Sequence, residues 1–424
     1  MAHRILGIFL ASLLAITAGP AHGQPGSGPK VYVGLFKDNA VAVLDPAARR
    51  VVSRIPVPTG PHGLVVTPDG RKVYVSSDGA STVSVIDTAT DRVVGAVEVG
   101  PNPHGLAVSA DGRRVLVCAW GANEALVIDT ATDRVTARVP VARAHNGAFS
   151  PDGLTAYVGS QPQGATALVV IDVARGAERE RVPLDRTPRA LDTSPDGRWL
   201  YYTVAGDDAV QVLDTATNRP AGRIPVGASP HHAPFTADGR RALVPSQGPG
   251  ELALVDVATA RVSGVVSVGK TPHWVAASSD GRLAYVANEG SGDVSIVDLE
   301  SRTVLATVAV GQGPRKIAVQ PGSPRADAPT GIVVSVEAED YAFTPSSVRG
   351  QPGERLRLRL TSRSSTLHNI TIPAQHVDRD IEPGRVVEVD VTVPEAGAVA
   401  FFCKFHAALG QRGQIAVARA DPGR

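Results

Sequence analysis

A unit of 41 to 44 residues recurs along most of the chain, and this repeat restricts the possible folds more than any other feature. Each copy has four short runs of alternating β-branched residues and ends in an Asp-Gly turn. The turn aspartates are Asp69, Asp111, Asp152, Asp196, Asp238 and Asp280, and Gly322 takes this place in a degenerate seventh copy. Four strands per repeat of this length is typical of propeller blades. The sequence therefore predicts an all-β chain with a seven-bladed β-propeller over residues 30–320.

The two ends of the repeat region differ in phase, which allows the propeller to close. The first copy begins with its second strand at Val31-Tyr-Val, and the last copy ends on a first strand at Lys316-Ile-Ala-Val. We therefore expect the C-terminal strand to complete the first blade, so that no strand edge between the two ends stays unpaired.

The amino-acid sequence of the repeat resembles that of a known family. Val73-Tyr-Val-Ser, Ile86-Asp-Thr-Ala-Thr and Ser150-Pro-Asp-Gly are similar to the repeats of the YVTN family of β-propellers, and the resemblance covers about two thirds of the chain. It implies the seven-bladed architecture but says little about function, because propellers support many unrelated chemistries.

The N-terminus has the layout of a secretory signal peptide over residues 1–23. Arg4 precedes an apolar run from Ile5 to Ala18, and small residues then predict cleavage near Gly23. That run is too short to span a bilayer comfortably and no later segment is long enough, so we expect no transmembrane segment. The sequence thus predicts a periplasmic or secreted protein. Its interleaved charges, 42 basic against 41 acidic, do not suggest a nucleic-acid surface.

One position of the repeat is rich in histidine. It lies seven residues before each turn aspartate, at the start of the innermost strand, and Arg315 holds the same place relative to Gly322. Its members are His62, His104, His145, Arg189, His231, His273 and Arg315, with His232 beside His231. Because innermost strands line the central channel, we expect these seven side chains to ring one opening.

This ring has three interpretations. The residues are turn variants that the family uses before this strand, or they bind a second metal, since imidazole is a common ligand of copper and zinc. The arginines also allow a third interpretation, an oxyanion or a carboxylate of a partner.

A different pattern follows the repeats. The Pro-rich segment 321–330 is predicted to be a linker, and residues 331–419 to form a second β domain. His368 opens one strand pattern there, while Cys403 and His406 lie on one short loop. A thiolate and two imidazoles with a weak axial ligand form a blue-copper electron-transfer site. The other cysteine, Cys118, lies within a strand pattern of the repeats and is expected to be a buried thiol.

These residues resemble the cupredoxin family of plastocyanins and their bacterial relatives over about ninety residues. The resemblance implies a Greek-key β-sandwich with one type 1 copper held by His368, Cys403 and His406. It also implies that Asn369 ties the ligand loops together by hydrogen bonds. The family's axial Met is replaced by Gln411, whose carbonyl oxygen is expected to coordinate unless the axial position is empty or holds water. A dinuclear site would need two cysteines on this loop, which has one.

Two functions fit this organisation. The first is electron transfer, with His406 as the exit and the propeller docking a redox partner protein. The second is a copper-dependent oxidoreductase with a second metal or an anion at the propeller mouth. The domain order is similar to that of nitrous oxide reductase, a seven-bladed propeller with a histidine-bound copper cluster followed by a cupredoxin domain. Arg189 and Arg315 depart from that pattern.

Overall fold

The computed structural model describes residues 29–321, 333–350, 352, 355–375 and 377–418. The predicted signal peptide and the predicted linker after Pro321 lie outside these residues. The chain divides into two compact units, residues 1–323 and 324–424, and each is described by itself. In the described ranges no helix is long and apolar enough to cross a membrane. Regular structure there is β, apart from two three-residue 3₁₀ turns.

Seven antiparallel sheets make up the first unit, one for each predicted blade. The first blade consists of β1 (Val31–Leu35), β2 (Ala40–Asp45) and β3 (Arg50–Pro56), joined by β27 (Pro314–Val319). The next three blades are β4 (Pro61–Val66), β5 (Lys72–Ser77), β6 (Thr82–Asp87), β7 (Arg92–Glu98); β8 (Pro103–Val108), β9 (Arg114–Ala119), β10 (Glu124–Asp129), β11 (Arg134–Pro140); and β12 (Ala144–Phe149), β13 (Thr155–Ser160), β14 (Ala167–Asp172), β15 (Ala177–Pro183). The last three are β16 (Pro188–Thr193), β17 (Trp199–Val204), β18 (Ala209–Asp214), β19 (Arg219–Pro225); β20 (Arg241–Ser246), β21 (Glu251–Asp256), β22 (Arg261–Ser267); and β23 (Pro272–Ala277), β24 (Leu283–Asn288), β25 (Asp293–Asp298), β26 (Thr303–Ala309). The all-β, seven-bladed prediction is confirmed.

The ring closes as the chain phase predicted. Strand β27 pairs antiparallel with β1, with Val319 opposite Val31 and Ile317 opposite Val33. The backbone N–H of Gln320 also donates to the carbonyl of Lys30 at 2.8 Å. The last innermost strand thereby covers an edge that would otherwise be free to pair with another chain.

The sixth blade is the irregular one. Its sheet has three strands, and the segment at the innermost position makes isolated bridges only, Pro230 to Ser246 and Phe235 to Ala242. Proline has no N–H to donate to a ladder, and Pro230 and Pro234 both lie in this segment. The segment therefore holds His231 at the mouth without a regular strand.

Blades are held together by burial of their facing strands. Between the second and third blades, fully buried Tyr74 and Val85 pack in one cluster with Val117 and Leu126. The inner strands read as continuous apolar runs because both faces of a blade are covered by its neighbours. The outermost strands face solvent, and β7 buries one side chain, Val97.

The second unit contains two sheets with a buried core between them. One has the order β29-β28-β31-β34 and the other β30-β36-β35-β32-β33. Their strands are β28 (Val333–Glu339), β29 (Ala342–Thr344), β30 (Ser347–Gly350), β31 (Arg355–Ser362), β32 (His368–Ile372), β33 (Val377–Ile381), β34 (Val386–Thr392), β35 (Ala398–Phe402) and β36 (Arg412–Val417). Leu358, Ile370 and Phe401 are among the fully buried core residues. The predicted β-sandwich is thus present.

Candidate metal centres

The predicted copper ligands lie at one end of the second unit. His368 is the first residue of β32, Cys403 follows β35 directly, and Gln411 precedes β36. Strand β35 pairs with both β32 and β36, so these three strand ends are neighbours. His406 lies on the loop between Cys403 and Gln411, just before the 3₁₀ turn Ala407–Leu409. The fold therefore brings distant sequence positions to one edge, as a site of this kind requires.

His368, Cys403 and His406 form a compact ligand group, which together with Gln411 we call the His/Cys cluster. One ligand atom from each of the first three lies within 4.8 Å of the others, and Cys403 Sγ is 3.4 Å from His406 Nδ1. The side chains of His368 and Cys403 are buried, whereas His406 is half-buried. The donors are thus gathered below the surface, with one imidazole reaching it.

Hydroxyl groups fix the orientation of the His368 ring. Its Nε2 lies 2.6 Å from Ser364 Oγ and 3.2 Å from Thr366 Oγ1, while Thr366 donates its own proton to Asp340 at 3.0 Å. These contacts hold Nε2 of the ring and leave Nδ1 facing Gln411. Metal-ligating histidines are oriented in this way, by a hydrogen bond from the other ring nitrogen.

Gln411 is fully buried, and its amide is held in one orientation. Its Nε2 donates to the carbonyls of Glu339 and Ala342, both at 3.0 Å. Its Oε1 consequently lies 3.1 Å from Nδ1 of His368 and 3.1 Å from Nδ1 of His406. Two imidazole nitrogens, the amide oxygen and the thiol therefore converge on one point. A cation at that point would satisfy all of them.

Asn369 connects the strands and the loop beside the His/Cys cluster. Its Nδ2 donates to Asp378 at 2.6 Å and to Asp380 at 2.8 Å, and its Oδ1 accepts from the backbone N–H of Lys404 at 3.5 Å. Lys404 also pairs with both carboxylates. The hydrogen bonds from Asn369 and Lys404 lower the pKa of Asp378. Asn369 thus links β32 to β33 and to the loop between β35 and β36.

Apolar side chains surround the exposed edge of His406. The Tyr341 ring packs edge-on against His406 with 5.8 Å between centroids, and Phe405 and Leu409 lie nearby in sequence. All three are exposed, Leu409 by 62%. An exposed group of large apolar residues is typical of an interaction surface.

The propeller mouth brings the predicted histidines together. We call His62, His104, His145, His231 and His273 the histidine mouth. Ring centroids are 3.5 Å apart for the first two and 4.0 Å for the next pair, and 3.8 Å apart for His231 and His273. The first three rings form one stack and the last two another, and the stacks are nearest at His62 and His273, whose centroids are 6.2 Å apart.

Glycines let the neighbouring innermost strands approach so closely. A Cβ at Gly63 would overlap the carbonyl oxygen of His104, and one at Gly105 would overlap the carbonyl oxygen of His145. The Pro-His-Gly pattern is therefore explained at its glycine by backbone packing. The same packing does not require an imidazole before that glycine.

Burial keeps these imidazoles uncharged. It lowers the pKa of His62, His104 and His231 well below the usual range, and neighbouring imidazoles lower the pKa of His62 further. The pKa of His273 falls to about 3, again chiefly through burial. Neutral imidazole is the form that binds a metal.

The two predicted arginines have partners of their own. Arg315 lies 2.9 Å from Glu289 and packs on the Phe36 ring at 3.7 Å, and Arg189 donates to Ser229 at 3.0 Å. Both belong to the same repeat position as the histidines. The charge of Arg315 nevertheless acts inside the mouth, since it adds to burial in lowering the pKa of His62 and of His273.

Two residues of this region were missed by the sequence analysis. Asp78 follows β5 and lies with His62 and His104 in a second group of possible metal ligands. Burial raises the pKa of Asp78 to about 6. Lys316 points into a channel cavity of about 480 Å³, with its Nζ 3.0 Å from the Trp274 ring centroid. Asp78 directly follows the second strand of its blade, and Glu289 holds the same position in the last blade. Comparing this position between repeats would have revealed the carboxylate.

Two family models match the chain. A YNCE-like beta-propeller model matches residues 16–108 and 151–325, and a cupredoxin-like domain model matches residues 304–417. The second match begins within the last blade, before β28. The predicted resemblance to a propeller joined to a cupredoxin domain is thereby confirmed, whereas the similarity of domain order to nitrous oxide reductase stays a prediction.

Solved structures are similar in fold. Hydrazine synthase of Kuenenia stuttgartiensis matches with a TM-score of 0.59 and 21% identity over 63% of this chain and 92% of that one. Dihydro-heme d1 dehydrogenase NirN in complex with DHE matches with a TM-score of 0.52 and 20% identity over 70% of this chain and 76% of that one. A functionally unknown protein from Desulfotomaculum acetoxidans matches with a TM-score of 0.60 and 13% identity over 69% of this chain and 99% of that one. Comparison with curated proteins gave no match. At these identities the likeness extends to the fold alone.

Proposed function

Because the chain belongs to the YNCE-like β-propeller family and joins this propeller to a cupredoxin-like domain, we propose that it is an exported electron-transfer protein. Its His/Cys cluster holds one type 1 copper, and its propeller docks a redox partner. The observation that carries the proposal is the convergence of His368 Nδ1, His406 Nδ1, Cys403 Sγ and Gln411 Oε1.

This donor set fits copper better than the other common metals. A thiolate with two imidazoles and a weak axial oxygen is the ligand combination of blue-copper sites. Copper bound there supplies a one-electron couple between Cu(I) and Cu(II). The chain's own residues supply the rigid geometry, because Ser364 fixes the His368 ring and two carbonyls fix Gln411.

A mononuclear site is favoured by the positions of the two cysteines. Cys118 is fully buried in β9 of the propeller, and burial raises its pKa to about 12. Neither cysteine forms a disulfide in the described part of the chain. A thiol that stays protonated is a poor ligand. One thiolate, that of Cys403, is therefore assigned to copper.

The surface at His406 supports partner docking. His406 is the ligand that reaches solvent, the exposed rings of Tyr341 and Phe405 lie beside it, and exposed Leu409 ends the 3₁₀ turn that follows. A small apolar contact around a half-buried ligand suits brief association, because a redox partner has to bind and leave quickly. Export, which the predicted signal peptide implies, places the thiolate in a compartment of oxidising chemistry.

The test compares two matched cysteine variants, Cys403→Ala and Cys118→Ala, by copper content, visible absorption and electron paramagnetic resonance. The parent and Cys118→Ala are expected to show an intense thiolate-to-copper band and one copper with a type 1 spectrum. Cys403→Ala is expected to lose that band and that copper. A parent protein without the band after copper loading, or a band that survives in Cys403→Ala, would refute the proposal.

A further inference from the structure

Three metal-binding side chains from three elements meet at the propeller mouth. His62 comes from β4, His104 from β8 of the next blade, and Asp78 from the turn after β5. One ligand atom of each lies within 4.8 Å of the others. Together they offer two imidazoles and a carboxylate, the donor set of many zinc and non-haem iron sites.

The histidine mouth also has the hydrogen bonds that prepare an imidazole for a metal. Nδ1 of His104 lies 3.0 Å from the carbonyl of His145, and Nδ1 of His145 lies 2.8 Å from the carbonyl of Arg189. His273 makes the same contact to Arg315 at 3.3 Å. A carbonyl can only accept, so Nδ1 of the proposed ligand His104 carries the proton and its Nε2 keeps the lone pair.

Two atoms of the group lack partners. In the part of the chain that the structure describes, His62 Nδ1 and Asp78 Oδ1 are buried with no hydrogen bond. The His62 side chain is only 6% exposed. Buried polar atoms without partners cost free energy, and each such case calls for an explanation. A bound cation would satisfy both atoms at once.

We propose that His62, Asp78 and His104 bind a divalent first-row transition-metal ion such as Zn²⁺ or Co²⁺. This is a second metal site, independent of the His/Cys cluster. His145, whose ring centroid is 4.0 Å from that of His104, is the nearest further imidazole. Three protein ligands leave a coordination position open to water or a small ligand, as in catalytic rather than structural zinc sites.

The carboxylate decides between a cation and an anion here. Arg315 would favour an anion, but it is paired with Glu289 at 2.9 Å and covers the Phe36 ring. Asp78 forms no ion pair among the described residues, although the Arg315 charge partly offsets the effect of burial on its pKa, and its negative charge would repel an anion. A metal cation is therefore the ligand that the local charges favour.

The experiment is calorimetric titration of metal-free protein with Zn²⁺ in the Cys403→Ala background, which removes the thiolate of the other site. Asp78→Asn keeps the size of the side chain and removes its charge. Glu98→Gln is the control, since Glu98 is an exposed carboxylate at the end of β7. Thermal unfolding of each variant checks that the propeller is intact.

We expect one Zn²⁺ per Cys403→Ala chain, at least tenfold weaker binding after Asp78→Asn, and a change of less than about twofold after Glu98→Gln. Absence of Zn²⁺ binding in Cys403→Ala, or affinity unchanged by Asp78→Asn, would overturn the proposal. So would binding of inorganic phosphate that Arg315→Gln abolishes, because it would identify an anion site.

Co²⁺ added to the parent protein separates this site from the His/Cys cluster. A cobalt–thiolate site gives intense charge-transfer absorption, whereas a site of imidazoles and carboxylate gives weak d–d bands only. In Cys403→Ala we expect the weak bands without the charge-transfer band, and we expect them to disappear when Asp78→Asn is added. Weak bands that survive Asp78→Asn in the Cys403→Ala background would contradict the assignment, while the charge-transfer band of the parent tests the electron-transfer proposal separately.

Discussion

The His/Cys cluster and the histidine mouth are both built from buried imidazoles, yet they are organised differently. In the His/Cys cluster, side chains such as Ser364 hold the ligands, and the amide of Gln411 is fixed by two carbonyls. In the histidine mouth, the rings of His104, His145 and His273 are held by backbone carbonyls of the next blade. One site is specific to a loop, while the other arises from a repeated position on a closed ring.

This difference predicts how each site responds to amino-acid replacement and to protonation. A loop site depends on a few side chains whose replacement affects the ligands and little else. A site on the ring depends on the packing of the innermost strands, where Gly63 and Gly105 allow close approach. Its imidazoles are part of the propeller core, so changes in their charge act on the stability of the whole unit.

The largest effect is expected from acid, which should destabilise the histidine mouth and its neighbours. Burial lowers the pKa of His232 to about 4, below the usual value of about 6.5 in an unfolded chain. Uncharged His232 makes its full contribution to the free energy of unfolding above pH 6.5. This contribution is lost as the pH falls toward 4, because the unfolded state binds the proton first. For this one group the loss is on the order of 3 kcal/mol.

The measurement is urea unfolding of metal-free protein between pH 7 and pH 4, followed by tryptophan fluorescence. All three tryptophans, Trp120, Trp199 and Trp274, lie in the propeller, so the signal reports on that unit alone. His232→Phe keeps a ring stacked on Trp274 and should flatten the pH dependence. An equally steep dependence in this variant would show that His232 is not responsible.

The second effect is on the copper affinity of the His/Cys cluster, through the hydrogen bond that orients the His368 ring. Ser364→Ala removes the 2.6 Å contact to His368 Nε2 without touching a ligand. Loss of such an orienting contact typically lowers metal affinity by about 10- to 100-fold. Copper competition titration measures this change, with exposed Ser335→Ala as the control. Equal affinities for the two variants would mean that the ring is held by packing alone.

The smallest change in affinity is expected for Gln411→Met, which should keep copper but raise its reduction potential. An amide oxygen is a harder ligand than a thioether and favours Cu(II), so the exchange favours Cu(I). Redox titration of the visible band gives the potential, and exposed Gln414→Met is the control. A potential equal to that of the parent would mean that Oε1 does not coordinate.

Much of the fold could be predicted because it follows from local patterns. The Asp-Gly turns recur at blade length, and the phase of Val31 and Lys316 predicted the pairing of β1 with β27. The irregular sixth blade was not predicted, although Pro230 and Pro234 remove N–H groups there. Strand alternation alone does not tell whether a ladder survives two prolines.

For the sites, the sequence by itself determined which residues are present at each position, because a repeat or a loop motif fixes their spacing. It gave His368, Cys403 and His406 as a set and the mouth histidines as a ring. Only the tertiary structure decided that the Gln411 amide has its oxygen toward the imidazoles and that Asp78 joins His62 and His104. The physical reason is that side-chain orientation depends on partners far away in sequence, such as the carbonyl of Glu339, and on the approach of neighbouring blades.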